Sequence, residues 1–148
     1  MTVTDAAAAL DRALAVFDVV QVDEKTFTAT SLDHPGGRIF GGQVLAQALI
    51  AVGRTVAPER RPHSLHAYFL RAGTTDEPVT YSVETLRDGS SFSARRTHAS
   101  QAGLPILSMT ASFQRDSPGL EHADEMPPAP VPETLPSFAD LYLSLIHI

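Results

Sequence analysis

The chain has 148 residues, 43% of them hydrophobic and 19% charged, proportions that suit one folded domain with a real core and exclude a disordered chain. No apolar run reaches the ~18 residues of a membrane-crossing helix. The absence of cysteine excludes disulfides, thiolate zinc sites and a cysteine nucleophile, and fits a cytoplasmic protein. The net charge of −6 belongs to the tail: residues 1–115 hold all 11 Lys and Arg and 11 of the 17 Asp and Glu, and residues 116–148 hold the other acids and no base. A body without basic excess has nothing to draw a nucleic acid backbone.

In chain order, residues 5–17 read as a short helix capped by Asp5, with Leu10, Ala13, Leu14 and Phe17 on one face. Residues 18–31, rich in Val and Thr, read as strand. A Pro-Gly-Gly loop follows at 35–37. From Gly42 to about Ala57 the apolar residues keep helical spacing until Pro58 ends the run, and the other side is mild enough for burial on most sides. Four extended stretches come next: one over "HSLHAYFLR", then 79–87, 90–101 and 104–114. Asp88-Gly89 is a strong hairpin signal and Ala102-Gly103 a weaker one. Long antiparallel strands with one nearly wholly apolar helix predict an α+β fold, a curved sheet wrapped around that helix. Six of the 11 prolines lie between Pro118 and Pro136, an extended acidic linker. Ser137, with Asp140 three residues on, then reads as a new helix cap. A linker leading to so short a remainder implies a missing second domain.

Few motifs carry chemistry. Gly41 and Gly42 at the mouth of the apolar helix have two readings: close packing of backbones, or open amides that receive a substrate carbonyl as an oxyanion hole. His63 and His66 form HxxH, but on a strand residues three apart face opposite sides, which disfavours a metal site. His66, Tyr68 and Leu70 share one strand face, with His66 read as an interior or interface histidine. Ser90 and Ser91 follow the Asp-Gly turn without a nucleophile elbow around them. Arg95 and Arg96 point to opposite faces, so one of them is paired with an acid such as Glu84 or faces a groove. No glycine-rich phosphate loop is present.

The blocks "FGGQVLAQAL", "HSLHAYFLRAG", "VTYSVETLRDGSSFSARR" and "LPILSMTASFQ", in this order and spacing, resemble the N-terminal half of the acyl-CoA thioesterase II (TesB-like) family over about residues 8–136. The resemblance implies one hotdog half of a double hotdog, with Gly41 and Gly42 opening the central helix, Gln43 to Ala57, beside an acyl-thioester groove. It implies hydrolysis of fatty acyl-CoA to fatty acid and CoA by a water held by Asp, Ser or Thr, and Gln residues of the second half. Those cannot be carried onto this chain, whose pseudo-equivalent strands offer Ser64 and Ala111. The expected division is 1–115 hotdog half, 116–136 linker and 137–148 the start of a second half, with "SLIHI" departing from the family's continuation. Expected substrate contacts are Gly41, Gly42, Gln43, His66, Tyr68, Ser91 and Arg95, with His66 oriented by Glu84 as the fallback base. No metal or cofactor is implied. The expected partners are acyl-CoA, the second half, and a second copy in a homo-oligomer, with no nucleic acid and no membrane. Two alternatives stay open: a non-catalytic acyl-CoA or acyl-carrier binding module, and a purely structural half.

Overall fold

The computed structural model describes residues 3–145. Two compact units divide the chain, Met1–Ser117 and Pro118–Ile148. The first contains helix α1 (Val3–Ala15), strands β1 (Val20–Gln21) and β2 (Thr26–Ala29), helix α2 (Gly41–Gly53), and strands β3 (Arg60–Phe69), β4 (Val79–Asp88), β5 (Phe92–Gln101) and β6 (Leu104–Arg115). The strands form one antiparallel sheet in the order β1-β2-β4-β5-β6-β3, so β3 ends the sheet beside β6.

Alternation along the strands decides which face is covered. Val79, Tyr81 and Val83 of β4, Thr97 and Ala99 of β5, and Leu107, Met109, Ala111 and Phe113 of β6 are buried on one face. There α2 lies across the sheet and inserts Val44, Ala48, Ala51 and Val52. The two alanines let its backbone approach the strands. The opposite face carries Glu84, Arg96, Thr110 and His66, all exposed.

Three boundaries differ from the sequence reading. The 18–31 stretch is a small hairpin rather than one strand, because the Asp23 carboxylate accepts the Lys25 N–H at 2.9 Å and turns the chain. This also holds the Asp23 carboxyl below its usual range. Helix α2 stops at Gly53, where the Thr55 and Val56 N–H groups bond three residues back, to Val52 and Gly53 carbonyls. The strand at "HSLHAYFLR" begins earlier, at Arg60, and is bulged between Pro62 and Ser64. The Ala102-Gly103 turn has φ of 46° and 76°, the left-handed pair of a tight two-residue hairpin. Leu10 and Leu14, read on one face of the first helix, are both exposed.

The second unit contains a 3-10 turn (Pro132–Thr134) and helix α3 (Phe138–Leu145). The expected cap forms: the Asp140 N–H donates to Ser137 Oγ at 3.2 Å, and Asp140 Oδ2 accepts the Ser137 N–H at 3.0 Å. Residues 146–148 of the closing "SLIHI" lie outside the described residues.

Candidate functional site: the start of the central helix

Phe40 precedes α2 with φ −64° and ψ 125° and supplies no side-chain cap, and no acid stands in the first turn. The Gln43 N–H bonds back to the Phe40 carbonyl at 3.0 Å. Among the described residues, nothing accepts the Gly41 or Gly42 N–H. Two open donors thus sit at the positive end of a 13-residue helix. Neither glycine has positive φ. Their smallness serves contact instead: a Cβ on Gly41 would stand 3.1 Å from the Phe69 ring, and one on Gly42 only 2.4 Å from the Phe40 ring. The packing reading of Gly42, close approach of backbones, is therefore corrected. It is exposed, and a side chain there displaces only the exposed Phe40 ring.

Gln43 is 7% exposed, and its amide is turned inward. It donates to the Thr30 carbonyl at 3.5 Å and accepts the Leu32 N–H at 3.4 Å, fixing the loop that follows β2. One turn later Gln47 is fully buried. Its amide nitrogen donates to the Val16 and Thr30 carbonyls at 2.6 and 2.9 Å, and its oxygen accepts the Tyr81 hydroxyl at 2.6 Å. One side chain thus ties the end of α1, β2 and β4 to α2. Burial drives the Tyr81 hydroxyl pKa well above its ordinary value, so it remains the donor.

Two cavities flank this helix start. One, of about 400 Å³, lies on the β3 side between Ile39, Gly41, Val44, Phe69 and Ile106, with Arg71 on its wall. The other, of about 340 Å³, lies on the α1 side between Ala13, Val16, Phe17, Leu32 and Phe40, with Asp33, His34, Gly42 and Gln43 completing it. Among the described residues there is no group of three or more side chains that could hold a metal ion.

Of the expected contact residues, the structure brings together only Gly41, Gly42 and Gln43. His66 and Tyr68 are exposed on the outer sheet face, their rings edge to face at 4.7 Å. His66 therefore is no interior histidine, and it lines a separate shallow cavity of about 290 Å³ with Ser64, Thr110 and Ser112. The His66–Glu84 fallback fails on register. His66 pairs with Thr110, Thr110 with Arg96, and Arg96 with Glu84, so three strand spacings, roughly 14 Å, separate them. Glu84 is taken instead by Arg96 at 3.3 Å.

Ser91 and Arg95 lie at the other end of α2, about 20 Å from Gly41 by helix rise. Ser91 is an exposed turn residue whose carbonyl accepts the Arg115 N–H. Arg95 is 3% exposed, and its guanidinium is spent on Asp88, the Thr55 hydroxyl and the Thr55, Arg87 and Ala94 carbonyls. It is a buried brace between β5 and the end of α2, without a surface to offer a ligand. The Ser93 hydroxyl and then Arg95 hold the Asp88 carboxyl below its ordinary range. Asp33, His34 and the walls that α1 supplies were missed, since only folding places that loop and helix against the α2 start.

A sheet wrapped on one central helix with open amides at its start defines a hotdog protein. A structure from Alicyclobacillus acidocaldarius, described as having a hot dog fold, superposes with a TM-score of 0.70 at 22% identity over 84% of this chain and 47% of the other. The sequence model of the acyl-CoA thioesterase N-terminal domain matches residues 29–114, and the chain belongs to that family. Human acyl-coenzyme A thioesterase 8 is 44% identical over 81% of this chain and 38% of its own length. Acyl-CoA thioesterase 2 of Haemophilus influenzae is 40% identical over 84% and 43%. The tesB protein of Mycobacterium avium subspecies paratuberculosis superposes with a TM-score of 0.77 at 39% identity, over 85% of this chain and 50% of the other. The chain thus spans half or less of the length of each of these relatives.

Proposed function

We propose that this chain is the first hotdog half of an enzyme that hydrolyses fatty acyl-CoA to fatty acid and CoA. In this reading it binds the thioester, and the second half supplies the groups that activate water. The observation that carries the reading is the pair of unaccepted N–H groups of Gly41 and Gly42 between two cavities. A thioester carbonyl placed there has its developing negative charge met by fixed donors at a helix start, worth about 10²–10³-fold per donor in such sites. The first cavity's wall holds no carboxylate or side-chain amide to orient water, and in the second the Gln43 amide is engaged with Thr30 and Leu32, leaving the exposed Asp33 as its one carboxylate, which favours a binding rather than hydrolytic role for this half alone.

The division at 115 and 136, with a second half beginning near residue 137, belongs to the same proposal. So does the cytoplasm as its place, where a cysteine-free chain loses nothing to reduction. No helix among the described residues is long and apolar enough to cross a membrane. The second half, or a second copy of this chain, is expected along β3. Among the described residues that edge strand pairs only with β6, and beside it Leu65, Phe69 and Leu70 are exposed, an apolar margin of the kind that interfaces cover.

Gly41→Pro tests the role of the amides. Proline suits a first helical position and the extended conformation of Phe40 before it, so the helix persists while one donor is removed, and Gly41→Ala, which sets the same Cβ against the Phe69 ring but keeps the N–H, is the reference for its effect. In a two-half protein the variant is expected to keep its melting temperature within a few degrees and lose about 10²–10³-fold in kcat. An unchanged kcat refutes the role of that amide.

A further inference from the structure

The two cavities on either side of Gly41 and Gly42 differ in chemistry, and the difference sets a direction. We infer that the fatty acyl chain enters the α1-side cavity while the CoA portion leaves across the β3-side cavity, so that α1 sets the acyl length. This rests on the acyl-CoA reading above and deepens it.

The α1-side cavity is lined by Ala13, Val16, Phe17, Leu32 and Phe40. The one side-chain amide in its lining, Gln43, already has both ends engaged with the Thr30 carbonyl and the Leu32 N–H. A hydrocarbon chain therefore strips no unpaired amide of water on entering, and its methylenes replace water against apolar walls. Asp33 and His34, both exposed, keep water near the cavity's edge. The β3-side cavity carries Arg71, which gives one N–H to the Pro105 carbonyl at 2.8 Å and has no acid paired with it among the described residues. An unpaired guanidinium suits the phosphates of a nucleotide and would waste a hydrocarbon. A thioester seated at the α2 start has one arm on each side, and only this orientation matches both.

The test uses the chain as it stands, with non-hydrolysable S-alkyl-CoA thioethers of increasing alkyl length titrated by calorimetry. Each methylene that enters the cavity is expected to tighten binding about fourfold, until a length at which the gain stops. Ala13→Phe, which narrows the α1 side, should bring that limit to shorter chains. Phe17→Ala, which widens it, should extend the limit, and this opposite shift guards against a general loss of fold. Ala72→Phe, on the β3 side, should leave the limit in place. Arg71→Ala should weaken every CoA thioether by a similar factor but not the matching S-alkyl pantetheines, which lack the nucleotide phosphates. A limit that moves with Ala72→Phe and ignores both α1-side changes overturns the assigned direction while leaving the acyl-CoA reading intact. Absence of binding by every thioether overturns that reading and this inference with it.

Discussion

Gln47 is the side chain on which the α1-side cavity depends, and replacing it isolates a three-way buried contact. In Tyr81→Phe, Gln47 Oε1 loses its donor inside a fully buried site, which costs about 1–3 kcal/mol. Gln47→Leu removes the shared partner of the Val16 and Thr30 carbonyls and the Tyr81 hydroxyl. Thr30 keeps a weak bond from Gln43 at 3.5 Å, so two groups are left fully unpaired and the expected loss is roughly 2–6 kcal/mol at the same cost per group. The double variant separates this account from simple loss of packing. Once Gln47 is absent, deleting the Tyr81 hydroxyl removes an orphaned group instead of creating one. The double variant should then be no less stable than Gln47→Leu, giving a coupling of about 1–3 kcal/mol. Urea unfolding at one fixed protein concentration reads all four corners. Additivity within about 0.5 kcal/mol would show that the two side chains do not act as a unit, and the reasoning would fail.

Two further expectations concern the far end of α2 and the β3 edge. Because the folded Asp88 carboxyl lies below its ordinary value, its bond to Arg95 stabilises fully above the unfolded carboxyl's pKa near 4 and is lost as pH falls through the lower folded value. Asp88 is half exposed and solvent screens the pair, so Asp88→Asn should cost about 0.5–1 kcal/mol at pH 7, a gap that closes on acidification toward pH 3; a gap constant from pH 7 to pH 3 in urea midpoints would count against the pairing. The chain alone should self-associate through β3 at tens of micromolar, and sedimentation as a stable monomer there contradicts the proposed interface.

What the sequence disclosed and what it withheld follow from the range of the forces involved. The apolar spacing of Val44, Ala48 and Val52, the turn at Ala102-Gly103 and the Ser137–Asp140 cap are local, and all were legible. So were Gly41, Gly42 and Gln43 as neighbours, being adjacent in the chain. The two-residue turn expected at Asp88-Gly89 is displaced: Asp88 pairs with Ser93 inside the strands, Gly89 lacks the positive φ such a turn needs, and the chain reverses over residues 89–91. Arg95 was misread because its partners, Asp88 across the hairpin and Thr55 past the end of α2, are chosen by strand register and helix packing. For His66 only the interior alternative fails, because alternation says which residues share a face but not which face the helix covers. The α1-side cavity was invisible for the same reason: Ala13 and Phe17 line it with Leu32 and Phe40 across the fold, and the Gln47 bond to the Val16 carbonyl that ties this segment to α2 is long-range.

The central claim is that this half binds the thioester and needs another half to hydrolyse it. Thiol release from decanoyl-CoA tests it most directly, comparing the chain alone with the same chain fused to the C-terminal half of Haemophilus influenzae acyl-CoA thioesterase 2. General-base help typically contributes about 10²–10⁴-fold, so the chain alone is expected to run at least about a hundredfold slower than the fusion. A rate for the chain alone within tenfold of the fusion would contradict the account and place a complete catalytic set within these residues, with Asp33 and His34 the first to replace.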